Sequence, residues 1–107
     1  MRIDILSAVP GLLEGPFSDS IVKRAQEKGL VEIVVHNIRD WSTDKHKKID
    51  DVPFGGSAGM VLTIQPIADA ISALQEERHY AEVVFLTPDG EQLKQSAVNH
   101  LSMQGNL

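Results

Sequence analysis

The chain has 107 residues, with ten Lys and Arg against fifteen Asp and Glu, for a formal net charge of −5 at pH 7. Apolar residues make up 42% and charged residues 23%, the balance of a globular domain, and the length allows one core rather than a tandem of full-sized domains. There is no cysteine, which excludes disulfides, thiolate metal sites and thiol nucleophiles, and no apolar run approaches the roughly 18 residues of a membrane helix.

At the N-terminus Asp4 interrupts the apolar stretch and no secretory h-region follows, so the expected location is the cytoplasm. Residues 3–9 are β-prone and mostly apolar and stop at Pro10-Gly11, which predicts a first strand. Ser18-Asp19-Ser20 offers N-cap oxygens, and Ile21, Val22 and Ala25 make an apolar stripe. Lys28 suits the last turn and Gly29 the left-handed position after it, so a helix is expected over about 18–28. Residues 30–35 are β-branched and nearly all apolar and read as a strand buried on both faces. Residues 36–59 show no clear periodicity.

Residues 59–64 form a short third strand in this reading. Pro66 then stands at the first position of a second helix, with Ile67, Ala70, Ile71 and Leu74 on one face. Residues 83–86 are a further apolar strand, cut off by Thr87-Pro88-Asp89-Gly90, and a third helix spans about 92–102. The order β-α-β-loop-β-α-β-α implies an α/β domain: a parallel sheet with helices on both faces and right-handed crossovers. Another strand is expected to begin at Gly105-Asn106-Leu107, so Leu107 reads as a cut rather than a natural end. A strand edge left without its neighbour would favour self-association.

Sheets of this kind bind ligands beyond the carboxyl ends of their strands. That places Val9-Pro10, the long loop and residues 87–90 at the functional edge. A structureless connection of some twenty residues is uncommon in a compact domain and usually functional. Its Lys45-His46-Lys47-Lys48 run is either a solvated charge run or a phosphate contact. Asp50-Asp51 is weak evidence for a metal, because no partner motif follows. Gly55-Gly56-Ser57-Ala58-Gly59 is either a bend or a place where backbone N–H groups approach a phosphate or base. Thr87-Pro88-Asp89-Gly90 is a turn that also stands where a ligand crevice would open, with Pro88 fixing the turn and Gly90 permitting a left-handed corner.

The first half of the chain is slightly basic and the second strongly acidic, so bulk charge disfavours coating nucleic acid. The sequence has no nucleophile elbow, no P-loop and no dinucleotide fingerprint, and too few aromatics for a stacking platform. Composition and periodicity end at an α/β domain with a functional loop.

The motifs go further. Met1-Arg-Ile-Asp-Ile5, Arg24-Ala25-x-x-x-Gly29-Leu30, Arg39-Asp40 and Asp44-Lys45-His46 occur in order. Asp50-Asp51-x-Pro53-Phe54-Gly55-Gly56-x-x-Gly59-Met60, Gln65-Pro66-Ile67 and Leu86-Thr87-Pro88-x-Gly90 follow. Over essentially all its length the chain closely resembles the N-terminal part of bacterial tRNA (guanine-N1)-methyltransferases, members of the SPOUT class of knotted methyltransferases. The resemblance implies a SPOUT-like fold truncated before its C-terminal trefoil knot. It also implies methyl transfer from S-adenosylmethionine to N1 of the guanosine 3′ of the tRNA anticodon, with Mg2+ as a further candidate ion. The expected partners are tRNA and a second copy in a homodimer, with no membrane.

Carried over position by position, Leu86, Thr87, Pro88, Asp89 and Gly90 match the first cofactor loop, although relatives often have Gln where Asp89 stands. Arg39, His46, Asp50, Gly55, Gly56 and Gly59 match the tRNA and active-site loop. Ser57-Ala58 departs from the commoner Gly-Pro or Gly-Ala pair. The general base, the remaining cofactor loops and the small tRNA-binding domain are expected beyond residue 107, so no catalytic residue is assigned within the chain. The competing reading is a non-enzymatic α/β nucleotide- or RNA-binding module complete at 107 residues. A gene that continues into a glycine-rich strand-loop segment separates the two.

Overall fold

The first strand-helix-strand unit forms where the sequence predicts it. In the computed structural model, which describes residues 1–53, 55–56 and 58–107, β1 is Arg2–Ser7 and β2 is Glu32–Asn37. The two run parallel, with Ile3 opposite Ile33 and Leu6 opposite His36. Between them come a 3-10 turn (Pro10–Leu13), a single-turn helix α1 (Glu14–Phe17) and α2 (Ser20–Glu27). Asp19 is extended and its carboxylate accepts the Ser20 N–H at 2.7 Å, which starts α2. Gly29 ends it at φ +71°, the left-handed position expected of it. β2 is half-buried rather than buried on both faces, because it is the outer member of a two-stranded sheet.

The aperiodic stretch after β2 carries more local structure than expected. Asn37 accepts the Arg39 N–H at 3.0 Å and opens a second 3-10 turn, Ile38–Trp41. β3 (Asp50–Asp51) and β4 (Val61–Leu62) then pair antiparallel, Asp50 opposite Leu62. The third predicted strand is therefore one arm of a short hairpin and not part of the parallel sheet. The chain reverses between the arms through left-handed glycines, which a parallel crossover would not need.

Helix α3 is Ile64–Glu77, so Pro66 is its third residue and not its first. That position is still tolerated, because N–H groups in the first turn have no intrahelical partner. Pro66, Ala70 and Leu74 turn inward, and with Ile38 and Ile49 they make the buried core. α4 is Gln95–Ser102, shorter at its start than predicted.

Residues 83–86 do not form the expected strand, and Phe85 and Leu86 are 81% and 87% exposed. The cause lies in the neighbouring lane. The Leu107 N–H donates to the Arg2 carbonyl and the Asp4 N–H to the Leu107 carbonyl, both at 2.9 Å, so the expected strand start at 105–107 lies parallel to β1. On its other side the Ala81 N–H donates to the Asn106 carbonyl at 3.0 Å. Residues 106–107 thus separate β1 from the segment that starts at Ala81, and among the described residues no backbone hydrogen bond pairs 83–86 with another strand. A strand without a ladder partner gains no hydrogen bonds to hold it. An apolar groove of about 710 Å³ lies along it, with Ile5, Leu62, Ile71, Phe85 and Leu107 among its walls.

Candidate functional site

The basic run is held on a fixed backbone. Ser42 is buried; its hydroxyl donates to the Lys48 carbonyl at 2.6 Å and accepts the Asp44 N–H at 3.2 Å. Asp44 accepts the backbone N–H groups of His46 at 2.8 Å and Lys48 at 3.2 Å. Those two bonds hold its carboxyl below the ordinary range. Arg39 Nη1 donates to the Lys47 carbonyl at 3.2 Å. Lys47 itself sits at φ +57°, a left-handed conformation that costs a non-glycine residue about 1 kcal/mol. The carbonyls of residues 47 and 48 are thus taken up within the protein, while Lys45, His46, Lys47 and Lys48 stay exposed. The arrangement can present a row of donors to an anionic backbone.

Immediately after it comes the β3–β4 hairpin. Gly55, Gly56 and Gly59 have φ of +91°, +78° and +93°, and the Gly56 N–H donates to the Pro53 carbonyl at 3.1 Å. A Cβ on any of the three would meet nothing within 4 Å, so conformation and not space requires glycine there. Phe54 and Ser57, both in the glycine-rich motif, lie outside the described residues. Asp50 is half-buried and Asp51 exposed, and as neighbours on a strand they point to opposite faces. Among the described residues no group of three or more His, Asp or Glu is placed to hold a metal ion.

Residues 87–90 form the predicted turn, closed by the Gly90 N–H donating to the Thr87 carbonyl at 3.2 Å. The expected left-handed corner at Gly90 is not there: its φ is not positive. A Cβ there would lie 3.2 Å from Thr87 Cγ2 and 3.4 Å from the Thr87 carbonyl oxygen, so Thr87 would have to give by a few tenths of an ångström. Leu86, just before the turn, lines the same groove as Leu62 of β4. The structure so brings the hairpin base and the start of the turn to one groove. Among the described residues, no hydrogen bond joins the turn to the basic loop.

A family model described as tRNA (Guanine-1)-methyltransferase TrmD matches residues 1–107. The chain belongs to that family. Curated tRNA (guanine-N(1)-)-methyltransferases similar to it include those of Bacteroides fragilis, 56% identical, and Porphyromonas gingivalis, 50% identical. Each comparison covers 100% of this chain and 48% of the relative, so the chain spans about half the length of the curated relatives it matches. The crystal structure of the tRNA (m1G37) methyltransferase from Aquifex aeolicus superposes with a TM-score of 0.89 at 34% identity, over 100% of this chain and 48% of that one. The fold is accordingly the SPOUT-like α/β arrangement, present as part of a domain.

One cluster in this methyltransferase family member escaped sequence reasoning. Asp4, its side chain 2% exposed, accepts Arg2 Nε at 3.0 Å and Arg2 Nη2 at 3.1 Å. His36 Nε2 lies 2.8 Å from Asp4 Oδ1, and Tyr80 donates its hydroxyl to Asp4 Oδ2. Burial pushes the Asp4 carboxyl up, but the hydrogen bonds from Arg2, His36 and Tyr80 outweigh burial and hold it at about 2. Arg78 in turn donates to the Tyr80 oxygen at 3.3 Å. The available signal was a carboxylate inside an apolar, β-prone run, a position that requires partners.

Proposed function

We propose that these residues form the N-terminal part of an S-adenosylmethionine-dependent methyltransferase that modifies N1 of the guanosine 3′ of the tRNA anticodon. The observation that carries this is the placement of the family motif. The Asp50–Gly59 run is a hairpin with three left-handed glycines, set directly after an exposed row of cations on a pinned loop. Backbone without side chains beside positive charge is what close approach to a splayed nucleotide and its phosphates requires.

Residues 86–90 fit the cofactor chemically: an exposed leucine for the adenine face and a tight turn whose backbone groups can read the base edge. S-adenosylmethionine, when bound, supplies the electrophilic methyl group. Guanine N1 carries a proton near neutral pH, so transfer also needs a base, which we place outside these residues, as we do a separate small tRNA-binding domain. Relatives twice as long support that division. Arg39, Lys45, Lys47 and Lys48 would hold the tRNA backbone, and His46, Asp50 and the glycines of the hairpin the target nucleotide. We further propose a homodimer, a reading supported by family membership. The test is a tritiated-methyl assay with the full-length protein and unmodified tRNA. Label incorporated as N1-methylguanosine supports the reading, and tRNA bound without methylation would favour an RNA-binding module.

A further inference from the structure

Gln65 belongs to a motif that the proposed chemistry leaves unused. It is the second residue of α3 and half-buried. Its Nε2 donates to the Trp41 carbonyl at 2.6 Å and to Asp69 Oδ2 at 2.5 Å. Its Oε1 accepts the Thr43 N–H at 3.3 Å and the Thr43 hydroxyl at 3.4 Å. A carboxamide offers two donors and two lone pairs, and here all four are engaged. Three of the four bonds go to residues 41 and 43, on either side of the buried Ser42 that organises the basic turn.

We propose that Gln65 is a positioning residue for tRNA: it clamps residues 41–43 to the start of α3 and so fixes where Lys45, Lys47 and Lys48 stand. The inference rests on the tRNA reading above. Asp69, one turn along α3, takes the second amide proton and holds the carboxamide in the orientation that faces its oxygen toward Thr43. Leucine in its place would fill the same volume and leave the Trp41 carbonyl and Thr43 N–H without these partners. Glutamate would keep the acceptor for Thr43 but lose both donated bonds, turning an oxygen toward the Trp41 carbonyl and the Asp69 carboxylate.

The experiment uses the full-length protein with Gln65→Leu, Gln65→Glu and, separately, Lys47→Ala/Lys48→Ala. Amide hydrogen exchange over residues 41–48 should accelerate about tenfold in Gln65→Leu, as expected for lost hydrogen bonds, and should also accelerate in Gln65→Glu, with α2 unchanged. KM for unmodified tRNA should rise about fivefold in Gln65→Leu, more than kcat falls at saturating tRNA, with KM for S-adenosylmethionine held. Unchanged exchange in Gln65→Leu would overturn the clamp, and faster exchange with an unchanged tRNA KM would overturn its role toward tRNA. An unchanged tRNA KM in Lys47→Ala/Lys48→Ala would instead overturn the phosphate-contact reading of the loop, while the exchange data still decide the clamp.

Discussion

Tyr80 donates its hydroxyl to Asp4 Oδ2 at 2.5 Å, across 76 positions of the chain. The bond ties the first strand to the residue just before the segment that leads to the turn at 87–90. Asp4 also neutralises Arg2 and meets His36, so one carboxylate organises both strands of the sheet. Replacing it leaves several partners of a buried anion unpaired. Asp4→Ala should destabilise the protein by about 3 kcal/mol, and Tyr80→Phe by about 1 kcal/mol. Urea titration at pH 7 checks both, and equal midpoints for wild type and Asp4→Ala would remove the network from the stability account.

Acid should act through the same group. Asp4 stands at about 2 in the native state against 3.8 for a free carboxyl. Between those values the unfolded chain takes up a proton that the native state does not. The stabilisation is therefore complete above about pH 4 and is lost as pH falls through 2; the displacement corresponds to about 2 kcal/mol. Asp44 shifts in the same direction, so the basic loop should loosen in acid as well. Thermal melts from pH 6 to pH 2 should show this decline, and Asp4→Asn should flatten it.

At the turn, the contact between Gly90 and Thr87 sets a packing test. Gly90→Ala places a methyl 3.2 Å from Thr87 Cγ2, which must move. In the full-length protein, binding of the proposed cofactor S-adenosylmethionine should weaken by about 1 kcal/mol, or roughly fivefold in Kd. Thr87→Ser removes Cγ2 and should restore most of the affinity in the Gly90→Ala background. Calorimetry reads both variants, and an unchanged Kd for Gly90→Ala would take this turn out of the cofactor site.

His46 and Asp50 separate function from stability. His46 is held in the loop through its backbone N–H, and Asp50 is paired through its backbone in β3. Alanine keeps both interactions, so His46→Ala and Asp50→Ala should each change stability by no more than about 0.5 kcal/mol. Methyl transfer by the full-length protein should nevertheless fall sharply. Wild-type turnover in both variants would contradict their placement in the active-site loop.

These residues also show what the sequence makes legible. β1, α2 and β2 are readable because their signals are local: an apolar run, the Asp19 cap, Gly29 at the stop. Residues 83–86 have equally strong strand composition and form none, because a strand also requires a neighbour, and among the described residues none pairs with them. The hairpin at 50–62 was hidden by its two-residue arms, too short for any periodicity. In the candidate site, Lys45 to Lys48 and the glycines stand out by composition. The bonds of Gln65 to residues 41 and 43 and of Asp4 to Tyr80 do not, since they join positions 22 to 76 apart in the chain. The position of Gly90 in its turn predicts a left-handed corner, but its φ is not positive, and the close approach of Thr87 is what a side chain there would meet.

The most direct measurement is the position of the methyl group. Full-length protein is incubated with S-adenosylmethionine and an unmodified tRNA bearing guanosine 3′ of its anticodon, and the product is digested and mapped by mass spectrometry. The account predicts one N1-methylguanosine at that nucleotide, lost when the guanosine is replaced by adenosine. Methylation at another base or another ring atom, or none with folded protein and bound tRNA, would contradict it.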